Sequence, residues 1–272
     1  MTQTLDVFVL RANAHARCLY TLAQTISLTL QDLGYQSIMR EIYTHDLPRA
    51  RNGGVLLGAH LDARAVLPHA DKWIIYNTEQ QGSGWFTDEY NALLQSAKGV
   101  WDYSAENAIT RPYSKVVPPG SHARYLRPAH TPTDPLIDIF FAGSPHPRRT
   151  KIFDQLRMTG LVVVDTFGIY GEPLYHLINN SKLCLNMHYY DTGIFEAVRV
   201  QELLLQGAAV LSESSAQDEG AHWPITIHPY DELVARAQTI ISSGAWLQGR
   251  IQSRNWNTTM HRHIISALAG NQ

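Results

Sequence analysis

The feature that most constrains this chain is the alternation of short apolar segments with longer amphipathic ones. Two amphipathic segments, 16–33 and 85–94, have the periodicity of helices, and the first ends at Gly34. Short runs of strand-favouring residues are predicted at 5–10, 37–42, 55–58, 73–77, 99–104 and 115–117. Apolar strands separated by helices predict a parallel sheet that is covered on both faces.

The same pattern begins again after a proline-rich segment at 118–135, which we interpret as an interdomain connection. Further strands are predicted at 137–142, 161–165, 182–186 and 208–212. Helices are predicted at 150–158, 173–179 and 195–206, with a last helical region after Asp231. The chain is therefore predicted to be an α/β protein of two Rossmann-like domains, 1–130 and 131–254, with a C-terminal helix at 255–272 that packs back on the first domain.

Composition excludes several classes of protein. The 272 residues are 44% apolar, which is enough for two cores, and 22 Lys and Arg against 24 Asp and Glu give a net charge of −2. Neither nucleic acid nor anionic lipid is attracted by the chain as a whole. Cys18 and Cys184 have no metal-ligand spacing, so we expect two buried thiols. Without a signal peptide or a long apolar span, a cytoplasmic protein with no transmembrane segment is expected.

A turn with two arginines follows the predicted strand at 137–142. Gly143 and Ser144 make the turn, and Arg148, Arg149 and Lys151 come at the start of the next helix. Helix N-terminal amides and cations bind phosphate groups, although an ordinary turn with solvated arginines has the same sequence. The turn lacks both the GxGxxG fingerprint and the P-loop spacing, which argues against a nicotinamide oxidoreductase or a kinase-type site.

A second cluster of polar residues follows the strand at 182–186. His188 and two tyrosines come first, and Glu196, Arg199 and Glu202 recur every third residue, so they share one face of a helix. A carboxylate there could accept hydrogen bonds from a ribose diol, and Arg199 could bind a diphosphate. The alternative is a ladder of ion pairs on a helix surface.

The segment 182–213 resembles the donor-binding segment of GT-B glycosyltransferases, in particular a bacterial group similar to spore-maturation proteins. In that family a Glu five residues before a Gly holds the donor ribose, and Glu202 and Gly207 match this pattern. The family's EGFG loop is absent, with DTGIFE in its place. Similar blocks in the same order are YNTEQ at 76–80, VWDYSAEN at 100–107, FAGS at 141–144 and FGIYGE at 167–172.

The resemblance implies a compact GT-B fold and a metal-independent glycosyltransferase that needs no cofactor. Its donor would be a UDP- or GDP-linked sugar, with FGIYGE beside the base, FAGS near the diphosphate and the loop HYYDTGIFE over the sugar. The implied donor-binding residues are Gly143, Ser144, Arg148, Arg149, Tyr170, His188, Tyr189, Tyr190, Gly193, Ile194, Phe195, Glu196, Arg199 and Glu202.

An inverting transferase also needs a base for the acceptor hydroxyl, whereas a retaining one can act without it. Ligands of open α/β sheets bind at the carboxyl ends of the strands, so the base is sought there in the first half. Glu79, directly after a strand, is the first candidate catalytic residue and His15 the second. His60 and Asp62 come third.

The acceptor is left open between a glycan, a small molecule and modified DNA. The stretch 111–127, with Lys115, Arg124 and Tyr125, could contact DNA phosphates, although cations scattered in a loop are more often solvated. A catalytically degenerate nucleotide-sugar-binding module is the other alternative, because 272 residues is short for this architecture.

Overall fold

The computed structural model describes residues 3–50, 52–125, 134–217 and 219–269. The chain forms two compact units, one of Met1–Tyr125 with Thr258–Gln272 and one of Leu126–Asn257. Each unit is a parallel sheet with helices, as the alternation of apolar segments predicts. The predicted connection at 118–135 lies partly outside the described residues.

The first unit contains a six-stranded sheet in the order β2-β1-β3-β4-β5-β6, with every neighbouring pair parallel. Its strands are β1 (Val7–Leu10), β2 (Met39–Ile42), β3 (Gly54–Leu57), β4 (Trp73–Asn77), β5 (Gly99–Asp102) and β6 (Lys115–Val116). Its first four α-helices are α1 (Tyr20–Asp32), α2 (Ala63–Val66), α3 (Asp88–Ser96) and α4 (Ala105–Ile109). The two central strands β3 and β4 are buried along their whole length, because helices cover both faces of the sheet.

Short 3-10 helices fill several connections of this unit that the sequence pattern does not identify. They span Ala14–Leu19, Thr44–Arg49, Ala59–Asp62 and Leu67–Lys72. Each has four to six residues, too few to establish a helical period in the sequence. The first precedes α1, and its N-terminus is capped by Asn13 Oδ1, which accepts from the amide of His15 at 2.9 Å.

The second unit contains a five-stranded parallel sheet in the order β11-β10-β9-β7-β8. Its strands are β7 (Ile137–Ala142), β8 (Val163–Thr166), β9 (Ser181–Asn186), β10 (Val210–Glu213) and β11 (Thr226–His228). Its helices are α5 (Pro147–Met158), α6 (Glu172–Asn179), α7 (Ala197–Leu205), α8 (Leu233–Ser243) and α9 (Trp246–Arg254). The edge strand β11 is not predicted from the sequence, because its three residues are partly exposed and too few to show a pattern.

A C-terminal helix, α10 (His261–Ala269), belongs to the first unit. The carbonyl of Thr258 accepts hydrogen bonds from the amide of Ser121 at 2.6 Å and from its hydroxyl at 3.1 Å. Met260 and Ile264 are fully buried. A side chain at Gly120 would lie 2.6 Å from the Thr258 carbonyl, so a glycine is needed at this crossing.

The two cysteines differ in burial. Cys184 is buried in β9, as predicted, whereas Cys18 is only half-buried and its prediction as a buried thiol is wrong. In the 3-10 helix Ala14–Leu19 the inward side chains are Ala16 and Leu19, so Cys18 lies to one side of the core. In the part of the chain that the structure describes, every helix is too short or too polar to cross a bilayer.

A buried acid organises the carboxyl end of the first sheet. Both side-chain oxygens of Asp102 are fully buried acceptors: Asn77 donates to one at 2.8 Å, Asn107 donates to both at 3.0 Å, and the Ser104 amide donates at 3.1 Å. The Tyr90 hydroxyl donates to Asn77 Oδ1 at 2.9 Å. Burial raises the pKa of Asp102 to about 6, although the hydrogen bonds that it accepts lower it.

This raised pKa predicts how stability depends on pH. Between the unfolded pKa of Asp102, 3.8, and its folded pKa of about 6, the folded state binds more protons than the unfolded state. Protonation of Asp102 therefore stabilises the folded state at low pH, and this stabilisation is lost as the pH rises through the window. The unfolding free energy of wild type minus that of Asp102→Asn should fall by roughly 2–3 kcal/mol between pH 4 and 6.

Urea unfolding at several pH values measures this difference. Asp71→Asn, which removes an exposed acid of the same unit, is the control and should show no such change. A pH-independent difference for Asp102→Asn would contradict the prediction.

Candidate functional site

Several of the predicted donor-binding residues lie around one buried arginine of the second unit. Arg149, in the first turn of α5, is only 1% exposed. Its guanidinium donates to the carbonyls of Ser144 at 2.9 Å and Met187 at 2.6 Å, which lie just beyond the ends of β7 and β9. It also lies over the rings of Phe141 and Tyr189, at 4.9 Å and 5.2 Å from their centroids. These contacts fix a cation at the carboxyl edge of the sheet.

A second arginine reaches the same place from α7. Arg199 donates to Asn186 Oδ1 at 3.0 Å and to the Met187 carbonyl at 3.3 Å. Glu196 lies 3.4 Å from Arg199 and 3.6 Å from Arg149, so two guanidinium groups share one carboxylate. Burial and the charge of Arg199 lower the pKa of Arg149 to about 9, and Glu196 partly offsets them. Arg149 is still charged at neutral pH, which leaves an excess positive charge at this edge.

Gly143 allows the turn after β7 to approach Arg199 closely. A Cβ at this position would lie 2.9 Å from the Phe141 ring and 3.2 Å from Arg199 Nη2. The amide of Gly143 donates to the Thr166 carbonyl at 2.9 Å, which fixes the turn after β7. Arg149, Arg199 and the glycine turn together form a cationic site that suits an anionic group such as a phosphate.

Arg148 is adjacent to Arg149 in sequence but has a different role. Its guanidinium pairs with both oxygens of Glu213, which is buried, and lies 3.9 Å from the centroid of Tyr230. The hydrogen bond that Arg148 donates to Glu213 is the largest of the effects that raise the pKa of Arg148. Successive helix residues point about 100° apart, so the two arginines face different partners. The charge of Arg148 is neutralised within the unit.

The loop between β9 and α7 is partly core and partly accessible. Ile194 and Phe195 are each 2% exposed, and Phe195 packs on Trp223 with ring centroids 5.4 Å apart. Their side chains are thus part of the core, which leaves their backbone as the group that a ligand could contact. Gly193 makes a turn at a φ of 64°, in the left-handed region that glycine favours. Tyr190 is half-buried against Tyr189.

His188 and Tyr189 connect this loop to the strands. The His188 amide donates to Glu213 at 3.0 Å, and its ring Nε2 lies 3.1 Å from the Ser214 carbonyl. The Tyr189 amide donates to Glu196 at 3.3 Å, and its ring lies 4.9 Å from that of His146. The carboxylate shared by the arginines is therefore also tied to the loop backbone.

Two further predicted residues are Tyr170 and Glu202. Tyr170 is half-buried before α6, and Glu202 is half-buried on α7. Asn186 and the Met187 carbonyl, which hold the arginines, are not predicted from the sequence. The polar residue at the end of the apolar strand β9 is the signal that could have identified Asn186.

The candidate bases lie in the first unit, after neighbouring strands. His60 Nε2 is 3.1 Å from Glu79 Oε1, and burial, followed by the charge of His15, lowers the pKa of His60 to about 3. His15 is exposed, although partial burial of its ring lowers its pKa. Asp62 caps α2, since its Oδ1 accepts from the amide of Ala65 at 3.2 Å. Glu79 and His60 are thus brought together, and Asp62 has a structural role.

The cations proposed to contact DNA are mostly engaged within the first unit. Arg111 is buried, stacks on Phe86 and donates to Gln81 at 2.5 Å. Arg124 pairs with Asp32 at 2.7 Å. Lys115 is exposed, and residue 127 lies outside the described residues. Within the described ranges there is no group of three or more His, Cys, Asp or Glu side chains that could hold a metal ion.

The Arg148–Glu213 pair gives a prediction about stability. Arg148→Met leaves a buried carboxylate without its cation and is expected to lower the unfolding free energy by about 1–3 kcal/mol. Adding Glu213→Gln should recover part of this loss, which a double-mutant cycle in urea measures. Two additive single effects would show that the pair is not coupled.

No protein-family model matches the chain. Three uncharacterized proteins of Acanthamoeba polyphaga mimivirus are similar to it. L137 is 28% identical over 174 residues, which are 60% of this chain and 24% of L137. L138 is 32% identical over 119 residues, 42% and 14% of the two chains, and L140 is 26% identical over 185 residues, 62% and 59%. The matched part of the chain thus spans less than two thirds of each relative's length.

Solved structures share the fold over almost the whole chain. An alpha-glucosyltransferase in complex with UDP and a 13-mer DNA containing a central A:G mismatch has a TM-score of 0.68 at 7% identity, over 99% of this chain and 100% of that one. A sucrose-phosphate synthase from Thermosynechococcus elongatus has a TM-score of 0.60 at 13% identity, over 98% of both chains. A glycosyltransferase involved in avilamycin A biosynthesis has 0.57 at 14% identity, over 93% and 90%. The chain therefore has the GT-B fold of two Rossmann-like domains, as predicted.

Proposed function

We propose that the protein is a glycosyltransferase that binds a nucleotide-diphosphate sugar in its second unit and transfers the sugar to an acceptor hydroxyl. The observation that carries this proposal is the arginine pair, Arg149 and Arg199, which share Glu196 beside the glycine turn at 143. A site with one more positive than negative charge, at the carboxyl edge of a parallel sheet, suits a diphosphate.

The chemistry of transfer explains why such a site is useful. Negative charge develops on the departing diphosphate, and preorganised cations lower the barrier by stabilising it. Arg149 is held by two carbonyls and two aromatic rings, so it needs no rearrangement when that charge forms. We propose that these arginines supply the stabilisation that a divalent cation gives in other transferases, and that the reaction is independent of metal.

The base and ribose of the donor would lie near Tyr170 and Glu202. Glu202 matches the ribose-binding Glu of the family in its spacing to Gly207, and its half-buried carboxylate on α7 suits hydrogen bonds from a diol. UDP is the nucleotide that we propose first, with GDP second. The solved complex of similar fold that contains UDP supports this order.

The arginine pair is tested by the affinity for UDP. Arg199→Met removes one guanidinium while keeping the length of the side chain, and we expect UDP binding to weaken by about 1.5–3 kcal/mol because a charge-assisted hydrogen bond is lost. Isothermal titration calorimetry on the folded variant measures this. Arg157→Met, which removes an exposed arginine of α5 that pairs with Asp154 and Asp165, is the matched control and should bind as wild type does. Equal affinities for all three proteins would refute the donor site.

Glu202→Ala tests the ribose contact separately. Its loss should weaken UDP binding by about 1–2 kcal/mol and should weaken the binding of inorganic diphosphate much less. Equal losses for UDP and diphosphate would assign Glu202 to another role.

A second candidate function is transfer of the sugar to a modified base in DNA. It is favoured by the alpha-glucosyltransferase of similar fold, which was solved with DNA and UDP. Salt-dependent binding of a DNA duplex would support this acceptor, and its absence at low salt would exclude it. An active transferase should release UDP from a bound nucleotide sugar, whereas a catalytically degenerate module should only bind it.

A further inference from the structure

We propose that Glu79 is the base that takes the proton of the acceptor hydroxyl, and that His60 is a positioning residue that orients its carboxylate. This inference rests on the proposed function, because a base is needed only if a sugar is transferred. It adds the residues of the first unit that would take part in the chemistry.

Glu79 and His60 follow two neighbouring strands, β4 and β3, which pair in parallel. The carboxyl ends of parallel strands lie at one edge of the sheet, which is where open α/β sheets bind ligands. The Glu79 side chain is 16% exposed, whereas that of His60 is 4% exposed. The carboxylate is therefore the more accessible of the two groups.

Hydrogen bonds to its backbone hold Glu79 in place. Its carbonyl accepts from Asn77 Nδ2 at 3.0 Å and from Asn107 Nδ2 at 2.8 Å, and its amide donates to Asn77 Oδ1 at 3.1 Å. Asn107 Oδ1 accepts from the amide of Gln81 at 2.7 Å. Both asparagines are bound to the buried Asp102. A catalytic carboxylate needs such fixed geometry, since misplacement by 1 Å can cost about 100-fold in rate.

The state of His60 follows from its burial. Its ring makes edge contacts with Trp85 and Tyr90, at centroid distances of 5.2 Å and 6.0 Å, and burial lowers its pKa to about 3. A neutral imidazole carries one proton, and a proton on Nε2 is donated to Glu79 Oε1, 3.1 Å away. Among the described residues the buried Nδ1 has no hydrogen-bond partner, which agrees with an Nε2–H tautomer.

The step that we propose balances as follows. The acceptor oxygen forms a bond to the anomeric carbon while its proton passes to the Glu79 carboxylate. The bond between the anomeric carbon and the diphosphate oxygen breaks, and its electron pair leaves with the diphosphate. A single displacement of this kind inverts the anomeric configuration. Glu79 must be ionised to act, so the rate rises as the pH rises through its pKa.

His60 should influence that pKa. A hydrogen bond to an ionised carboxylate favours the charged form, so removing the donor raises the pKa of the acid. His15 acts on His60 electrostatically, and Tyr90, which packs against His60, interacts with Glu79 and with three further groups: Asp102, Arg111 and Tyr113. None of them is altered by substitution at His60, so a shift in the pH profile would report the lost hydrogen bond.

The experiment follows the release of glucose from UDP-glucose to water between pH 5 and 9, with GDP-glucose run in parallel. Glu79→Gln should lower the rate at least 100-fold with the Kd for UDP unchanged, and Glu89→Gln, at an exposed acid of α3, should match wild type. His60→Phe should lower the rate and shift the acid limb of the pH–rate profile, where the rate rises with pH, to higher pH. His60→Gln, whose amide can donate to Glu79, should restore the wild-type limb.

Near-wild-type turnover by Glu79→Gln would overturn the assignment of the base. A slower His60→Phe enzyme with an unmoved acid limb would overturn the positioning role, as would a His60→Gln limb that stays shifted. If His60→Phe does not fold, the Glu79→Gln and His60→Gln enzymes still decide. Failure of both UDP and GDP to bind, or binding without glucose release by the wild-type protein at any pH, would refute the proposed function instead of the assignment of Glu79.

Discussion

The charge balance at Glu196 is the constraint on which the second unit's site depends. One carboxylate lies within 3.6 Å of both Arg149 and Arg199, and its position is fixed by the amide of Tyr189. Two cations cannot be buried side by side without compensation, and a single carboxylate compensates for one of them. The remaining charge makes the binding of an anion favourable, which links the packing of the unit to the function that we propose.

The first unit uses the opposite charge in a similar way. Asp102 is buried without a cation in hydrogen-bond contact among the described residues, and it is held instead by donors from two asparagines and a backbone amide. Those same asparagines bind the backbone of residues 79–81. The loop that carries Glu79 is thus fixed by a network whose cost is the burial of one acid, and this cost appears as the raised pKa of Asp102.

The sequence predicts the sheets well because their signal is local. Runs such as Val55–Leu57 and Trp73–Asn77 are apolar throughout, and all ten predicted strands are present within about two residues of their predicted bounds. Contacts between residues that are distant in sequence leave no local signal. The pattern alone could not predict the ion pair of Arg148 with Glu213 or the hydrogen bond of Arg199 to Asn186. The turn at 143–149 could be identified as cationic, but only the packing shows that Arg149 is enclosed while Arg148 is paired.

The central claim is that the arginine pair of the second unit binds a nucleotide diphosphate. A crystal structure of the protein with UDP tests it most directly. We predict that the diphosphate oxygens lie within hydrogen-bond distance of the Arg199 guanidinium, beside the turn at Gly143. A diphosphate bound elsewhere, with Arg149 and Arg199 still sharing Glu196 and making no contact with it, would contradict the account.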